Sequence, residues 1–200
     1  MENKHAAPLM CGGATVFSCL QTHDVKPTER VGIIGVGGLG HLAIQFAAKR
    51  GCEVVVFSGS DRKKEEAFEL GAKEFHAIKG LDSLEGLCKP IDSLLITTSA
   101  LPSYNLYVPL LVPEGKIFPI SVSPTGDVAV SAQAFVQKGV KVLGCLVATR
   151  SVHQEMLDFA TLHGIKPWIN EFPMTKDGID EAFDALGKGK MRYRGVLVAQ

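Results

Sequence analysis

Apolar residues along this 200-residue chain gather in short β-branched runs, and stretches of helical spacing separate them. The runs Arg30–Ile34, Glu53–Ser58, Glu74–Ala77, Asp92–Thr97, Gly115–Ser121 and Val140–Leu146 predict six strands, apolar on both faces as in a buried parallel sheet. Between them, Leu42, Ala43, Ile44, Phe46 and Ala47 fall at helical spacing. Further helices are predicted over Arg62–Leu70 (Asp61 as N-cap, Gly71 as stop), Leu81–Cys88, Tyr104–Leu111, Ser131–Lys138 and Val152–His163. Ahead of the first strand, a polar Met1–Lys4 is expected to fray, and a helix is expected from near Pro8 to Ser18. The alternation predicts an α/β fold, a doubly wound parallel sheet with right-handed crossovers. From Ile165 the rhythm breaks. Pro167–Ile169 is extended, Ile179–Leu186 is helical, and Gly195–Val198 is a strand with no evident partner in the sheet. We therefore divide the chain into residues 1–167 and a short C-terminal appendage, 168–200.

The first strand ends in Gly35-Val36-Gly37-Gly38-Leu39-Gly40, and a helix follows at once. A glycine fingerprint in that strand–turn–helix setting predicts a Rossmann dinucleotide site. Gly35 permits the tight turn, Gly37 lets the backbone approach a pyrophosphate, and Gly40 allows close helix–strand packing. Gly38, Leu39 and the helix N-terminus offer N–H groups to an anion.

Composition narrows the function classes. Basic and acidic residues balance at 21 each, and no basic stripe calls for a nucleic acid or an anionic membrane. No apolar run approaches the roughly 18 residues of a spanning helix. The five cysteines are odd in number and scattered without C-x-x-C spacing, which indicates neither a disulfide framework nor a zinc finger and suits a reducing compartment. A soluble, cytoplasmic protein is expected.

Cofactor choice turns on the end of the second strand, where a carboxylate would bond the ribose 2′-hydroxyl of NAD. Here that position is Ser58, followed by Ser60, Arg62 and Lys63, which suit a 2′-phosphate. The charges of Asp61 to Glu66 would also suit a capped, solvated helix start, but such a start does not account for the missing acid. NADP(H) is the expected cofactor.

Five stretches, AAPLMCGGATVFS, VGIIGVGGLGHLAIQFAAKRG, SDRKKEEAFELGA, MLDFATLHGIKPWI and IDEAFDALGKGKMRYRGVLV, together resemble the zinc-dependent medium-chain alcohol dehydrogenases. Within them the match is to the cinnamyl alcohol dehydrogenase-like, NADP-preferring branch. The resemblance implies that Cys11 is one of three protein ligands to a catalytic zinc and that Thr15 lies against the nicotinamide. It places Arg194 at the pyrophosphate, Thr97, Thr98 and Ser99 near a cofactor ribose, and Ile120, Ser121 and Val122 at the carboxamide. Ala148 departs from the family's small-residue run. In the family, a preceding GroES-like catalytic domain supplies the other zinc ligands and the proton relay, and these residues find no counterpart here. The expected zinc site is therefore incomplete, with Cys11 alone, and residues 168–200 correspond to a segment that returns to the catalytic domain. The resemblance also implies a homodimer paired along Val140–Leu146.

Three functions follow as expectations. One is NADP-dependent reduction of an aldehyde or activated double bond, or oxidation of an alcohol, a small-molecule substrate meeting the hydride beside Cys11 and Thr15. For a metal-free reaction, Cys11, Ser18, Tyr104 and His41 are the candidate general acids. The second is a non-redox cyclase or isomerase that reuses the cleft. The third is a non-catalytic module that binds NADP or a partner.

Overall fold

A computed structural model describes residues 1–99, 102–120 and 127–199. Six strands form one parallel sheet: β1 (Arg30–Ile34), β2 (Glu53–Ser58), β3 (Glu74–Ala77), β4 (Ile91–Ile96), β5 (Leu111–Pro119) and β6 (Lys141–Val142). They lie in the order β3-β2-β1-β4-β5-β6, so the chain reverses direction across the sheet between β1 and β4. In a doubly wound sheet, that crevice at the C-terminal strand ends is where ligands bind.

The sheet is buried on both faces. Leu9, Phe17, Leu42, Phe46, Val54 and Val56 pack on one side with Met156. Val55, Phe57, Leu94, Ile96, Tyr104 and Leu110 pack on the other. Helices α2 (Ala14–Thr22), α3 (Gly40–Lys49) and α6 (Arg150–Leu162) cover the first face. The second is covered largely by turns and by α5 (Ala132–Lys138), whose N-cap Ser131 accepts from the Ala134 N–H.

Several boundaries differ from the sequence expectation, each for a local reason. The N-terminal helix starts at Asn3 rather than near Pro8: α1 spans Asn3–Pro8. Glu2 accepts from the His5 and Ala6 N–H groups, and Lys4 pairs with Glu171 at 2.9 Å, so this polar stretch is anchored. Pro8 has no N–H for the ladder, and the next five residues, Leu9–Gly13, run as a wider π-helical turn before α2. Asp61 is no cap. It opens a 3-10 turn, Asp61–Lys63, without a side-chain capping bond, and α4 proper is Lys64–Glu69.

No helix forms over Leu81–Cys88, where Gly80 and Gly86 adopt φ of +84° and +72°. Tyr104–Leu110 makes two 3-10 turns, the second containing Pro109. Strand β6 holds only two residues. Gly195–Val198 lies outside the main sheet, as its isolation implied, but it has a partner. It belongs to β8 (Arg194–Val198), which pairs in parallel with β7 (Ile169–Pro173) across α7 (Lys176–Gly187). Among the described residues, no helix is long and apolar enough to cross a membrane.

Candidate functional site

Three features of the glycine turn follow from geometry. Gly35 has φ +91°, the left-handed region that favours glycine. A Cβ on Gly40 would strike the Gly35 carbonyl oxygen and lie 2.9 Å from Thr97 Oγ1, so α3 approaches β1 as closely as it does only because Gly40 lacks one. A Cβ on Gly37 would meet nothing within 4 Å. It would project into open space at the helix N-terminus, the space a pyrophosphate would take.

That space is a groove of two connected clefts. One, of 660 Å³, is lined by the turn together with Ser58, Ser60, Arg62, Lys63 and Lys79. The other, of 490 Å³, is lined by Cys11, Thr15, Leu39, Ile120, Cys145 and Arg194 among others. Gly38, Thr97, Thr98 and Ser99 belong to both. The expected cofactor residues Gly35, Gly37, Gly38, Leu39, Ser58, Ser60, Arg62, Lys63, Thr97, Thr98 and Arg194 thus come together, and so do Cys11 and Thr15. Gly40 stands behind the turn rather than on its wall. Ser121 and Val122 lie outside the described residues.

Within the groove, several side chains are already engaged. Lys63 donates to the Val36 carbonyl at 2.6 Å and lies 4.9 Å from the centre of the Tyr193 ring, so its cation also clamps the turn. Burial pushes its pKa down. Thr97 donates to the Ile34 carbonyl at 2.7 Å, tying β4 to the end of β1. Thr15 donates to the Cys11 carbonyl at 2.8 Å, so it can offer a ligand only an acceptor. Arg62 Nε lies 3.4 Å from Ser60 Oγ.

Arg194 is a partly buried cation. Its Nε donates to the Gly38 carbonyl at 3.0 Å. A Cβ on Gly12 would strike its Nη2, and one on Gly38 would lie 3.0 Å from its Nε. Two glycines from distant segments therefore open the slot for this guanidinium. Burial pushes its pKa down and the Cys11 thiol opposes.

One groove residue, Lys79, was not legible in the sequence, and a second, Cys145, lies in the run Gly144–Thr149 that the resemblance sets at the pocket wall. Lys79 follows β3 and reaches the cleft because parallel strands bring their C-terminal ends to one edge; that rule, applied to β3, would have found it. Cys145 lies with its sulfur 3.7 Å from the Thr15 carbonyl. A hydrogen bond with Cys19 lowers the Cys145 thiol to about 7, while that bond and burial push Cys19 up.

The acid candidates other than Cys11 lie elsewhere. Tyr104 is buried on the opposite face of the sheet, and Ser18 pairs with Thr22 at 3.4 Å. His41 is fully buried. The Trp168 N–H donates to its Nε2 at 3.2 Å, which fixes the proton on Nδ1, 2.9 Å from the Gly37 carbonyl. Burial, aided by Arg194 and Lys63, lowers its pKa to about 4. His41 is a neutral staple between the turn and the C-terminal unit.

That staple carries a pH signature. A base whose folded pKa lies below its ordinary 6.5 stabilises the fold above 6.5, and the benefit is lost as pH falls toward 4. The loss amounts to roughly 3 kcal/mol. Glu29, Glu66 and Glu74 are also lowered, but their contributions are lost at more acid pH. Urea denaturation between pH 7 and 5 is expected to show stability falling with pH in the parent chain and a flatter profile in His41→Gln.

The zinc-binding dehydrogenase family profile matches residues 38–161, from within the glycine turn to the end of α6. The chain belongs to that family. The aldehyde reductase AdhA of Synechocystis is 38% identical over 194 residues, which are 96% of this chain and 56% of that protein. The cinnamyl alcohol dehydrogenase SbCAD4 of Sorghum bicolor superposes with a TM-score of 0.89 at 33% identity, over 98% of this chain and 56% of that one. The cinnamyl alcohol dehydrogenase of Helicobacter pylori, whose structure is a complex with NADP(H), gives 0.82 at 31% identity, over 96% and 54%. The chain thus spans about half the length of the relatives it matches. A catalytic zinc takes three protein ligands and an open position. Among the described residues, Cys11 is not one of three or more ligating side chains that come together.

Proposed function

We propose that this zinc-binding dehydrogenase chain holds NADP(H) in the groove and serves the interconversion of an alcohol and an aldehyde. The observation that carries this reading is the open groove at the switch between β1 and β4. It combines a pyrophosphate turn, the enclosed Arg194, and a cleft where Arg62, Lys63 and Lys79 surround Ser58 without a carboxylate on the groove wall. A nicotinamide bound there would carry the hydride. The residues' share is to bind and orient: Gly37 and Gly38 at the pyrophosphate with Arg194, the Ser58 cleft at the 2′-phosphate, and Thr15 as acceptor beside Cys11. Residues 1–167 form the cofactor unit in this reading, and 168–200 the appendage that brings Arg194 to it.

The aldehyde reductase named above and the NADP(H)-bound cinnamyl alcohol dehydrogenase support the reaction class and the cofactor. A homodimer along β6 is part of the proposal, since that strand is paired with β5 on one side and Val136 and Leu146 stand exposed nearby.

The test is a titration of the purified chain with NADPH and NADH, with sedimentation velocity run alongside. NADPH is expected to bind at least about ten-fold more tightly, and Lys79→Ala to erase most of that preference, the size expected for one charge-assisted contact to phosphate. Aldehyde-dependent oxidation of NADPH would establish turnover. Equal affinities would overturn the cofactor assignment, binding without turnover would leave a cofactor-holding module, and a monomer at all concentrations would remove the dimer.

A further inference from the structure

Glu74, His76 and Cys88 sit apart from the groove, and none of them lines it. Each offers one ligand atom, and the three atoms lie within 4.8 Å of one another. Two come from a single strand: residues two apart in β3 point to the same face, and in the register Glu74 stands beside Val55 and His76 beside Phe57. The His76 ring stacks on Phe57 with centroids 5.6 Å apart. The third comes from residues 78–90, the crossover to β4 that was expected to be helical and is not.

Arg30, at the start of β1, fixes the carboxylate. Its Nη2 donates to Glu74 Oε2 at 2.8 Å and to the Lys89 carbonyl at 3.4 Å, and its other terminal nitrogen pairs with Glu53. The second Glu74 oxygen, Oε1, is left facing His76 Nε2 at 2.7 Å. Such a partner behind a ligand is the usual means of orienting it. All three side chains are partly buried, so they are shielded yet reachable.

We propose that Glu74 Oε1, His76 Nε2 and Cys88 Sγ bind a Zn²⁺-class divalent cation, with water in the fourth position. One carboxylate oxygen, one imidazole nitrogen and one thiolate form a mixed set suited to a borderline-soft, tetrahedral ion. Separations of roughly 3.3–3.8 Å between ligand atoms are what such an ion requires. A small opening between Glu74 and His76 and an approach by Cys88 achieve them. Charge balances: the ion's two positive charges meet the Glu74 carboxylate and the Cys88 thiolate, and the single charge of Arg30, which also reaches Glu74 and Cys88, is matched by Glu53. Binding displaces the thiol proton to solvent, and His76 binds as the neutral imidazole. Ligation would pin the helix-free crossover, whose Leu84 is fully buried against the second core face, onto β3.

The experiment is titration of the chelator-stripped full chain with Co²⁺, followed by displacement with Zn²⁺. One Co²⁺ per chain is expected, with a thiolate-to-cobalt charge-transfer band and a rise in melting temperature. Cys88→Ser should abolish the band. His76→Gln should weaken binding at least about ten-fold, no less than losing a partner behind a ligand costs. Cys11→Ala should keep both band and affinity, and circular dichroism of the stripped variants checks that they fold. Absence of binding, a band that survives Cys88→Ser, or one that disappears with Cys11→Ala would each overturn the proposal.

Discussion

Gly40→Ala is expected to destabilise the chain by roughly 3 kcal/mol or more, whereas Gly37→Ala, three residues earlier, leaves stability within about 1 kcal/mol. The contrast comes from what each methyl group would meet. At Gly40 it would strike the Gly35 carbonyl oxygen and stand 2.9 Å from both the Gly35 carbonyl carbon and Thr97 Oγ1. Two of those atoms are backbone and the third is held by its bond to the Ile34 carbonyl, so relief requires the whole of α3 to move. That helix carries Leu42, Ile44 and Phe46, all fully buried, and overpacking of this kind is not absorbed locally. At Gly37 nothing lies within 4 Å, so alanine folds without strain and interferes only with a ligand. Chemical denaturation of the two variants checks the first half, and NADPH titration of Gly37→Ala the second. If Gly37→Ala binds NADPH as the parent does, the groove is not where the pyrophosphate lies.

Arg194→Ala is expected to weaken NADPH binding by roughly ten- to a hundred-fold, the worth of a hydrogen-bonded charge contact to phosphate. Arg194→Lys should recover only part of that loss. The guanidinium already spends Nε on the Gly38 carbonyl, and its planar fork leaves the remaining N–H groups aimed in fixed directions. A lysine ammonium would supply charge without that division of labour. The salt dependence of affinity separates the effects, because the alanine variant loses slope and the lysine variant retains it. Unchanged affinity in Arg194→Ala would make this residue a purely structural bridge between Gly12 and Gly38.

Much of this was legible from residue patterns because the determining physics is local. The β-branched runs fix β1 and β2 to within their end residues, and the strand order 3-2-1-4-5-6 is the one expected of a glycine fingerprint between β1 and its helix. What escaped depends on packing at a distance. Asn3–Pro8 is helical, and its Lys4 meets Glu171, far along the chain. Leu81–Cys88 carries a weak helical pattern, yet Gly80 and Gly86 turn with positive φ. His41 reads as a possible acid until its burial and its two partners appear. Gly12 looked like one of several small residues near Cys11, and only the path of Arg194 explains it. Lys79 is not legible from the end of β2, because it follows the neighbouring β3 and only the parallel alignment of the strands brings it beside Ser58.

The slot built from Gly12, Gly38 and Arg194 joins three segments widely separated in sequence. Closing so long a loop carries an entropic cost that only the completed fold offsets. The proposed anion-binding wall of the groove and the docking of the β7–α7–β8 unit are therefore one event. A ligand held by Arg194 tightens the seat of that unit, and a loosened unit releases the ligand, by the same free energy in both directions. If the proposed nucleotide binds there, protease resistance of the C-terminal unit is expected to gauge its occupancy, readable without any turnover at all.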